Sequence, residues 1–261
     1  MTQHRPVALV TGASRGIGRG IALSLAGAGY DIAGTATSLS SGLEEVMRQA
    51  EGLGAKFIGI SGDVSNLDEH ERMVLEAQSI SGRIDCFVSN AGVAPSVRAD
   101  MLDMQPESYD RVMGINARGS FFLAQRVANA MLAQPQQPHA HHPAPGMIFI
   151  TSVSASTASI NRAEYCMSKA ALSMAAQCLA VRMAPHGVNV YEIQPGIIAT
   201  DMTTAVREKY DALIAEGLLL SPRWGTPEDI GKAVVSLARG DFAYATGAVI
   251  EIGGGMGVRR L

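Results

Sequence analysis

Residues 10–20 read VTGASRGIGRG, and they decide the fold. The stretch leaves an apolar run, PVALVTG (6–12), with the length and β-branched content of a buried strand. It enters GIGRGIALSLAGAG (16–29), whose apolar residues fit a helix. Between the two lies a turn with the spacing Gly12-x-x-x-Gly16-x-Gly18. Glycine permits a tight turn and lets a pyrophosphate approach backbone N–H groups at a helix N-terminus. Such glycines can also serve packing alone, but a strand–turn–helix context favours nucleotide binding.

Outward from this unit the alternation continues. YDIAGTAT (30–37) reads as a strand, GLEEVMRQAEGLG (42–54) as a helix, and AKFIGISGDV (55–64) contains a strand. DEHERMVLEAQSI (68–80) is helical, and IDCFVSNAG (84–92) is a strand ending in a turn of small residues. A long helix is predicted over 107–133, then a strand GMIFITS (146–152), a helix over 164–184 and a strand VNVYEIQPG (188–196). Helical material in 203–215 and 227–238 and a strand GAVIEIGGG (247–255) complete the chain. Alternating strands and helices with apolar strands predict an α/β fold: a doubly wound, Rossmann-type parallel sheet of about seven strands, covered on both faces. No repeat or linker divides residues 1–261, so a single domain with an N-terminal dinucleotide-binding half is expected.

Of the 261 residues, 47% are hydrophobic and 17% charged, enough for one large core. The net charge is −3 and no basic block stands out, so nucleic acid is not an expected partner. No apolar run reaches membrane-spanning length, and MTQHRPVALVTG lacks the shape of a signal peptide. A cytoplasmic protein is expected, with Cys86, Cys166 and Cys178 as reduced thiols. The segment AQPQQPHAHHPAPG (133–146) reads as an exposed insertion loop because its prolines stop a helix. His139, His141 and His142 within it have no carboxylate or cysteine cluster beside them, and no metal site is expected.

YCMSK (165–169) sets a phenol one helical turn from an ammonium. A nearby positive charge lowers a phenol's pKa and makes it a usable acid. Ser152 ends a strand shortly before, and both side chains can meet outside the carboxyl ends of the strands. There a hydroxyl can bond a carbonyl oxygen, Tyr165 can protonate it as a hydride arrives, and Lys169 can stabilise the phenolate left behind. Individually, Ser152 could cap a strand end, Asn116 could bond a backbone carbonyl, and Tyr165 could pack in the core. Cys166 has no histidine partner in the sequence and reads as packing.

TGASRGIG, NAG (90–92), Asn116, Ser152 within ITSVS, YCMSK and PGIIATDM (195–202) follow one another in an order that resembles the short-chain dehydrogenase/reductase family. The likeness runs from about residue 5 to 258 and is strongest to the 3-oxoacyl-(acyl-carrier-protein) reductase branch. It implies catalysis by Asn116, Ser152, Tyr165 and Lys169. Lys169 would also bond the nicotinamide ribose, and Asn116 would hold a water linking Lys169 to solvent. It further implies a cofactor held by Gly12, Ser14, Arg15, Gly16, Ile17 and Gly18, with Asn90, Ala91 and Gly92 against the adenosine ribose. Asp63, beside Val64, would take the adenine amino group, although the pair could equally be a helix entry. Pro195, Gly196, Ile198 and Thr200 would contact the nicotinamide carboxamide. Ser89 stands where the family pattern has a second asparagine, which implies one structural hydrogen bond fewer.

The second strand ends in GTATS with no acid to hold ribose hydroxyls, and Asp31 lies at the strand's wrong end. Arg15, Thr37 and Ser38 offer donors for a phosphate, so NADP(H) is expected in preference to NAD(H). Residues 203–225 are expected to form a flap over the substrate, with Leu218, Leu219 and Trp224 as an apolar wall, or with Trp224 as plain core. The best-fitting activity is NADPH-dependent reduction of a 3-oxoacyl thioester. Another small ketone, sugar or polyol is the alternative, and a non-catalytic nucleotide sensor is the alternative class. An acyl carrier protein would need Arg126, Arg162 or Arg182 near the pocket. The resemblance also implies a homotetramer paired through the 107–133 and 164–184 helices, with Ala170, Ala171, Met174, Ala175, Ala176 and Met183 on the pairing face.

Overall fold

Seven parallel strands form one sheet in the computed structural model, in which residues 5–135 and 144–259 are described. The three loop histidines and most of the proline-rich 133–146 segment lie outside the described residues. The strands are β1 (Val7–Val10), β2 (Asp31–Ala36), β3 (Phe57–Ser61), β4 (Cys86–Ser89), β5 (Gly146–Ile150), β6 (Asn189–Pro195) and β7 (Val249–Ile252). The helices are α1 (Gly16–Gly27), α2 (Ser41–Gly52), α3 (His70–Gln78), α4 (Pro106–Met113), α5 (Ser120–Ala133), α6 (Ala163–Met183), α7 (Arg207–Ala215) and α8 (Pro227–Ala238).

The strand order is β3-β2-β1-β4-β5-β6-β7. The chain therefore winds outward in one direction from β1, returns to its other side at β4, and winds outward again. Beyond the carboxyl ends of β1 and β4 such a reversal opens a crevice, the ligand site of open α/β sheets. Neighbouring residues on each strand point to opposite faces. Val10, Ile32, Val88, Ile148 and Ile193 face one cluster with α1, α2 and α8. Leu9, Ala33, Phe87, Phe149 and Val190 face the other, with α3, α5 and α6. Burial on both faces explains why the strands are continuously apolar.

Close helix contact on the first face depends on glycine. A Cβ on Gly20 would run into Pro227, and one on Gly231 into Ser24, so α1 and α8 approach closely only because both positions lack it. The N-terminus of α8 carries a capping box between Thr226 and Asp229, followed by Pro227 in the first turn.

Two predicted elements differ from the structure. The helix expected over 107–133 is divided into α4, a π-helical segment Gly114–Gly119, and α5. The Asn116 side chain, fully buried in that segment, bonds the Val93 backbone rather than solvent, and Gly119 presses on the Val64 carbonyl. A π-bulge accommodates the extra residue that this inward rotation needs. The helix expected over 203–215 begins instead as a 3-10 turn, Asp201–Val206, capped by Thr200 and Thr203. Among the described residues no helix is long and apolar enough to cross a membrane.

Candidate active site

The crevice is built first by the glycine turn. Gly12 and Gly16 have φ of 67° and 53°, the left-handed region that side chains disfavour. Arg15 is the N-cap of α1, no side chain caps its first N–H groups, and no acid stands in its first turn. Those free donors, with the positive end of the helix dipole, suit an anion. Gly18 lies on the Gly12 carbonyl, where a Cβ would overlap it. Ile17 packs against the core, and the Ser14 carbonyl lies against Gly42 in α2.

Hydrogen bonds fix this turn to both neighbouring strands. Ala13 N donates to Thr35 O on β2 at 2.8 Å. Asn90 N and Ala91 N both donate to Thr11 Oγ1 at 2.9 Å, and Asn90 Nδ2 donates to Thr11 O at 2.8 Å. Across the crevice, a Cβ on Gly16 would lie 3.4 Å from Thr200 Cγ2. Pro195 ends β6, Gly196 lies against Gly253, and buried Ile198 pairs with Gly225 in an isolated bridge. The cradle open to an anion, the backbone turn at 90–92 and the 195–200 segment fit a dinucleotide.

The four residues expected to act together converge beyond β5. The Ser152 side chain acts on the Tyr165 phenol, and Ser154 N donates to Ser152 Oγ at 3.1 Å. Lys169 is 4% exposed and donates from Nζ to Ile150 O at 3.0 Å. Its Nζ stands 5.7 Å from the centre of the Tyr165 ring. Asn116 Oδ1 accepts from Val93 N at 2.8 Å, and Nδ2 donates to Val93 O and Ser168 Oγ at 2.9 and 3.0 Å. A Cβ on Gly92 would sit 3.2 Å from Asn116 Oδ1 and 3.5 Å from Lys169 Nζ. The turn after β4 thus reaches the same point.

One electrostatic expectation is corrected. Burial raises the Tyr165 phenol above its ordinary pKa, and it outweighs the Ser152 side chain and the charges of Arg162 and Arg98, which lower it. Burial also lowers Lys169 to about 8, while Glu192 opposes that shift. Lys169 therefore does not by itself make the phenol a stronger acid in this structure. Desolvation dominates because Lys169 is buried and Tyr165 is half-buried among packed neighbours.

Other expected residues are dispersed. Asp63 Oδ1 accepts from Ser65 N and Oγ, both at 2.8 Å, and the Val64 carbonyl is bonded by His70 Nε2. Thr37 is exposed just past β2, and Asp31 at the other end pairs with Arg5. Cys166 is half-buried, with Sγ 3.7 Å from Thr157 O. Trp224 belongs to a small flap cluster with Tyr210 and buried Leu219, and donates from Nε1 to Asp211 at 2.6 Å. Of the three basic anchors, only Arg162 is at the site, 5.3 Å from the Tyr165 ring centre. Arg126 pairs with Glu71 on α3, and Arg182 lies about 25 Å along α6 from Tyr165. Of the supposed pairing face, Ala176 and Met183 are interior, 3% and 1% exposed.

One residue near the site carries no motif in the sequence. Glu192 is a carboxylate inside an apolar strand, and that placement is its signal. It is 2% exposed and accepts from Thr151, Ser173 and Gln194 at 2.5, 2.7 and 2.8 Å.

A dinucleotide cradle with a phenol, a hydroxyl and an ammonium just beyond it is the arrangement of a nicotinamide-dependent oxidoreductase. A family model described as Enoyl-(Acyl carrier protein) reductase matches residues 12–257. A 2-dehydro-3-deoxy-D-gluconate 5-dehydrogenase of Pseudoalteromonas atlantica is 34% identical over 95% of this chain and 94% of its own. A 3-oxoacyl-[acyl-carrier-protein] reductase of Staphylococcus epidermidis is 32% identical over 95% of this chain and 98% of its own. A crystal structure of a 3-oxoacyl-[acyl-carrier protein] reductase from Brucella melitensis, in complex with NAD, is 42% identical with a TM-score of 0.94, covering 100% of both chains. The chain belongs to the short-chain dehydrogenase/reductase family and is an NAD(P)-dependent oxidoreductase.

Proposed function

We propose that the protein reduces a small ketone to a secondary alcohol with NADPH. The observation that carries this reading is the convergence of Ser152, Tyr165 and buried Lys169, whose Nζ stands 5.7 Å from the Tyr165 ring centre, at the open end of the dinucleotide cradle. When bound, the nicotinamide supplies the hydride. Ser152 holds the substrate's carbonyl oxygen, and Tyr165 gives its hydroxyl proton to that oxygen. The raised pKa of the phenol keeps it protonated at neutral pH, as a donor requires. Lys169, charged below about 8, offsets the phenolate as it forms. Asn116 fixes the turn at Val93 to α6 through Ser168, which keeps the crevice and the catalytic helix in register. In this reading it also holds the water through which Lys169 reaches solvent.

NADPH is favoured over NADH because no carboxylate ends β2, while Arg15 and the Thr37 and Ser38 hydroxyls stand near that end. In this reading Asp63 takes the adenine amino group through its second carboxylate oxygen, and residues 203–225 cover the substrate. A 3-oxoacyl thioester is the second substrate reading, favoured by the reductases that this chain resembles. Dispersal of Arg126 and Arg182 weakens the docking of an acidic carrier. A homotetramer paired through α5 and α6 is also proposed. Met167, Met174 and Val181 are 40%, 57% and 80% exposed on α6, and Ala170, Ala171 and Cys178 are exposed with them.

The test is NADPH oxidation, followed by absorbance, with a panel of ketones, β-ketoesters and acyl thioesters. Tyr165→Phe is expected to lower kcat about 10²–10⁴-fold, with NADPH binding by fluorescence retained. A folded variant that keeps more than about a tenth of the rate would overturn the catalytic assignment. A wild type that binds NADPH but consumes it with no panel member would favour a nucleotide sensor.

A further inference from the structure

Several arginines have carboxylate partners, among them Arg48 with Glu45, Arg83 with Asp85, Arg126 with Glu71 and Arg223 with Asp229. Arg15, Arg98, Arg118, Arg239 and Arg259 have neither a hydrogen bond nor an ion pair among the described residues, but they are exposed to water. Arg162 also has neither, and it is half-buried. Arg162 is half-buried at the N-cap of α6, with its guanidinium carbon 5.3 Å from the Tyr165 ring centre. Its nearest acidic neighbour in the chain, Glu164, is turned inward, 3% exposed and engaged by Ser108 Oγ at 2.7 Å.

We propose that Arg162 binds an anionic group of the substrate, so that the ketone reduced is that of a small keto acid. The inference rests on the ketone-reductase reading above and names its substrate class. A half-buried guanidinium presents a planar set of donors matched to a carboxylate, and without one those donors are incompletely satisfied. The location fixes the size of the substrate. An anion in contact with Arg162 lies only a few bonds from a carbonyl held at the Tyr165 hydroxyl. The phosphate of an acyl carrier's arm is separated from its thioester by the whole pantetheine unit, too far for the same contact.

The arrangement also answers a difficulty of the chemistry. Proton transfer leaves a phenolate, and a bare carboxylate beside it would raise the barrier by repulsion. The Arg162 guanidinium beside the ring offsets that negative charge. The 34%-identical relative is named for a keto sugar acid, which agrees with this class.

The test measures kcat/KM for 4-oxopentanoate and 5-keto-D-gluconate, each against its methyl ester. For at least one pair the acid is expected to exceed the ester about tenfold or more, in line with a charge-assisted hydrogen bond. That ratio should fall about tenfold in Arg162→Met and recover partly in Arg162→Lys. A wild-type ratio of one or less in both pairs, or one that Arg162→Met leaves in place, overturns the inference while the reductase reading stands. Acetoacetyl-pantetheine is compared with its 4′-phosphate. An Arg162-dependent gain from the phosphate overturns the keto-acid assignment in favour of a carrier arm.

A second measurement needs neither a variant nor turnover. Phenylglyoxal labelling of Arg162 in the NADPH complex, read by peptide mass spectrometry, is expected to be blocked by either acid and not by its ester. Equal labelling in all cases overturns the proposal. Protection by the acids without NADPH consumption supports it and counts against the reductase reading alone.

Discussion

Replacing Lys169 by Met is expected to abolish turnover and stabilise the fold. Lys169 is 4% exposed, and its pKa falls from 10.5 to about 8. A lysine bound less tightly to its proton in the folded state than in the unfolded one penalises folding wherever both states are charged. The penalty is about 3 kcal/mol below about pH 8. That figure already includes the attraction of Glu192, which raises the lysine pKa. Met fills a similar volume, but the Nζ bond to Ile150 O is lost, at about 1 kcal/mol. The net gain near pH 7 is therefore about 2 kcal/mol, or roughly 4–8 °C in Tm for a chain of this size. Between pH 8 and 10.5 the unfolded chain binds more protons, so wild-type stability rises with pH and the advantage of the variant shrinks toward zero or below. Thermal unfolding of the cofactor-free proteins across that range is the assay. A variant less stable than wild type near pH 7, or a gain that does not shrink with pH, would refute the reasoning.

Arg15→Ala is expected to weaken NADPH much more than NADH, and Thr37→Asp should repel a 2′-phosphate while accepting from a free ribose hydroxyl. An unchanged NADPH/NADH ratio of kcat/KM in both would place the phosphate elsewhere. Val181→Arg sets a charge on the most exposed apolar residue of α6, 80% accessible, and should shift light scattering from tetramer toward smaller species. An already monomeric wild type would remove the basis for that surface's role. Thr226→Ala breaks the capping box with Asp229 at the start of α8 and should cost about 1 kcal/mol, a fall of roughly 2–4 °C in Tm. No change in Tm would mean that the cap is not needed once α8 is packed on α1.

The glycine turn, the alternation of apolar strands with helices, and the order of TGASRGIG, NAG, YCMSK and PGII were local signals. Backbone freedom at Gly12 and Gly16, strand burial on two faces and the one-turn spacing of Tyr165 and Lys169 depend on residue type and short separation alone. The sequence therefore determined the sheet, its single-domain extent and the family. It could not show that Asn116 rotates inward and breaks a helix, since that rotation answers to Val93 and Ser168, far off in the chain. Nor could it set the electrostatics of the Tyr165–Lys169 pair, because desolvation depends on everything packed around both groups. Glu192 reaches Lys169 through a strand remote in sequence. Arg126, Arg162 and Arg182 look alike as letters, yet folding leaves only Arg162 beside the phenol. Charge in a sequence has no direction. The tertiary structure decides which cation is near the reacting oxygen, which anion offsets it and how much water separates them.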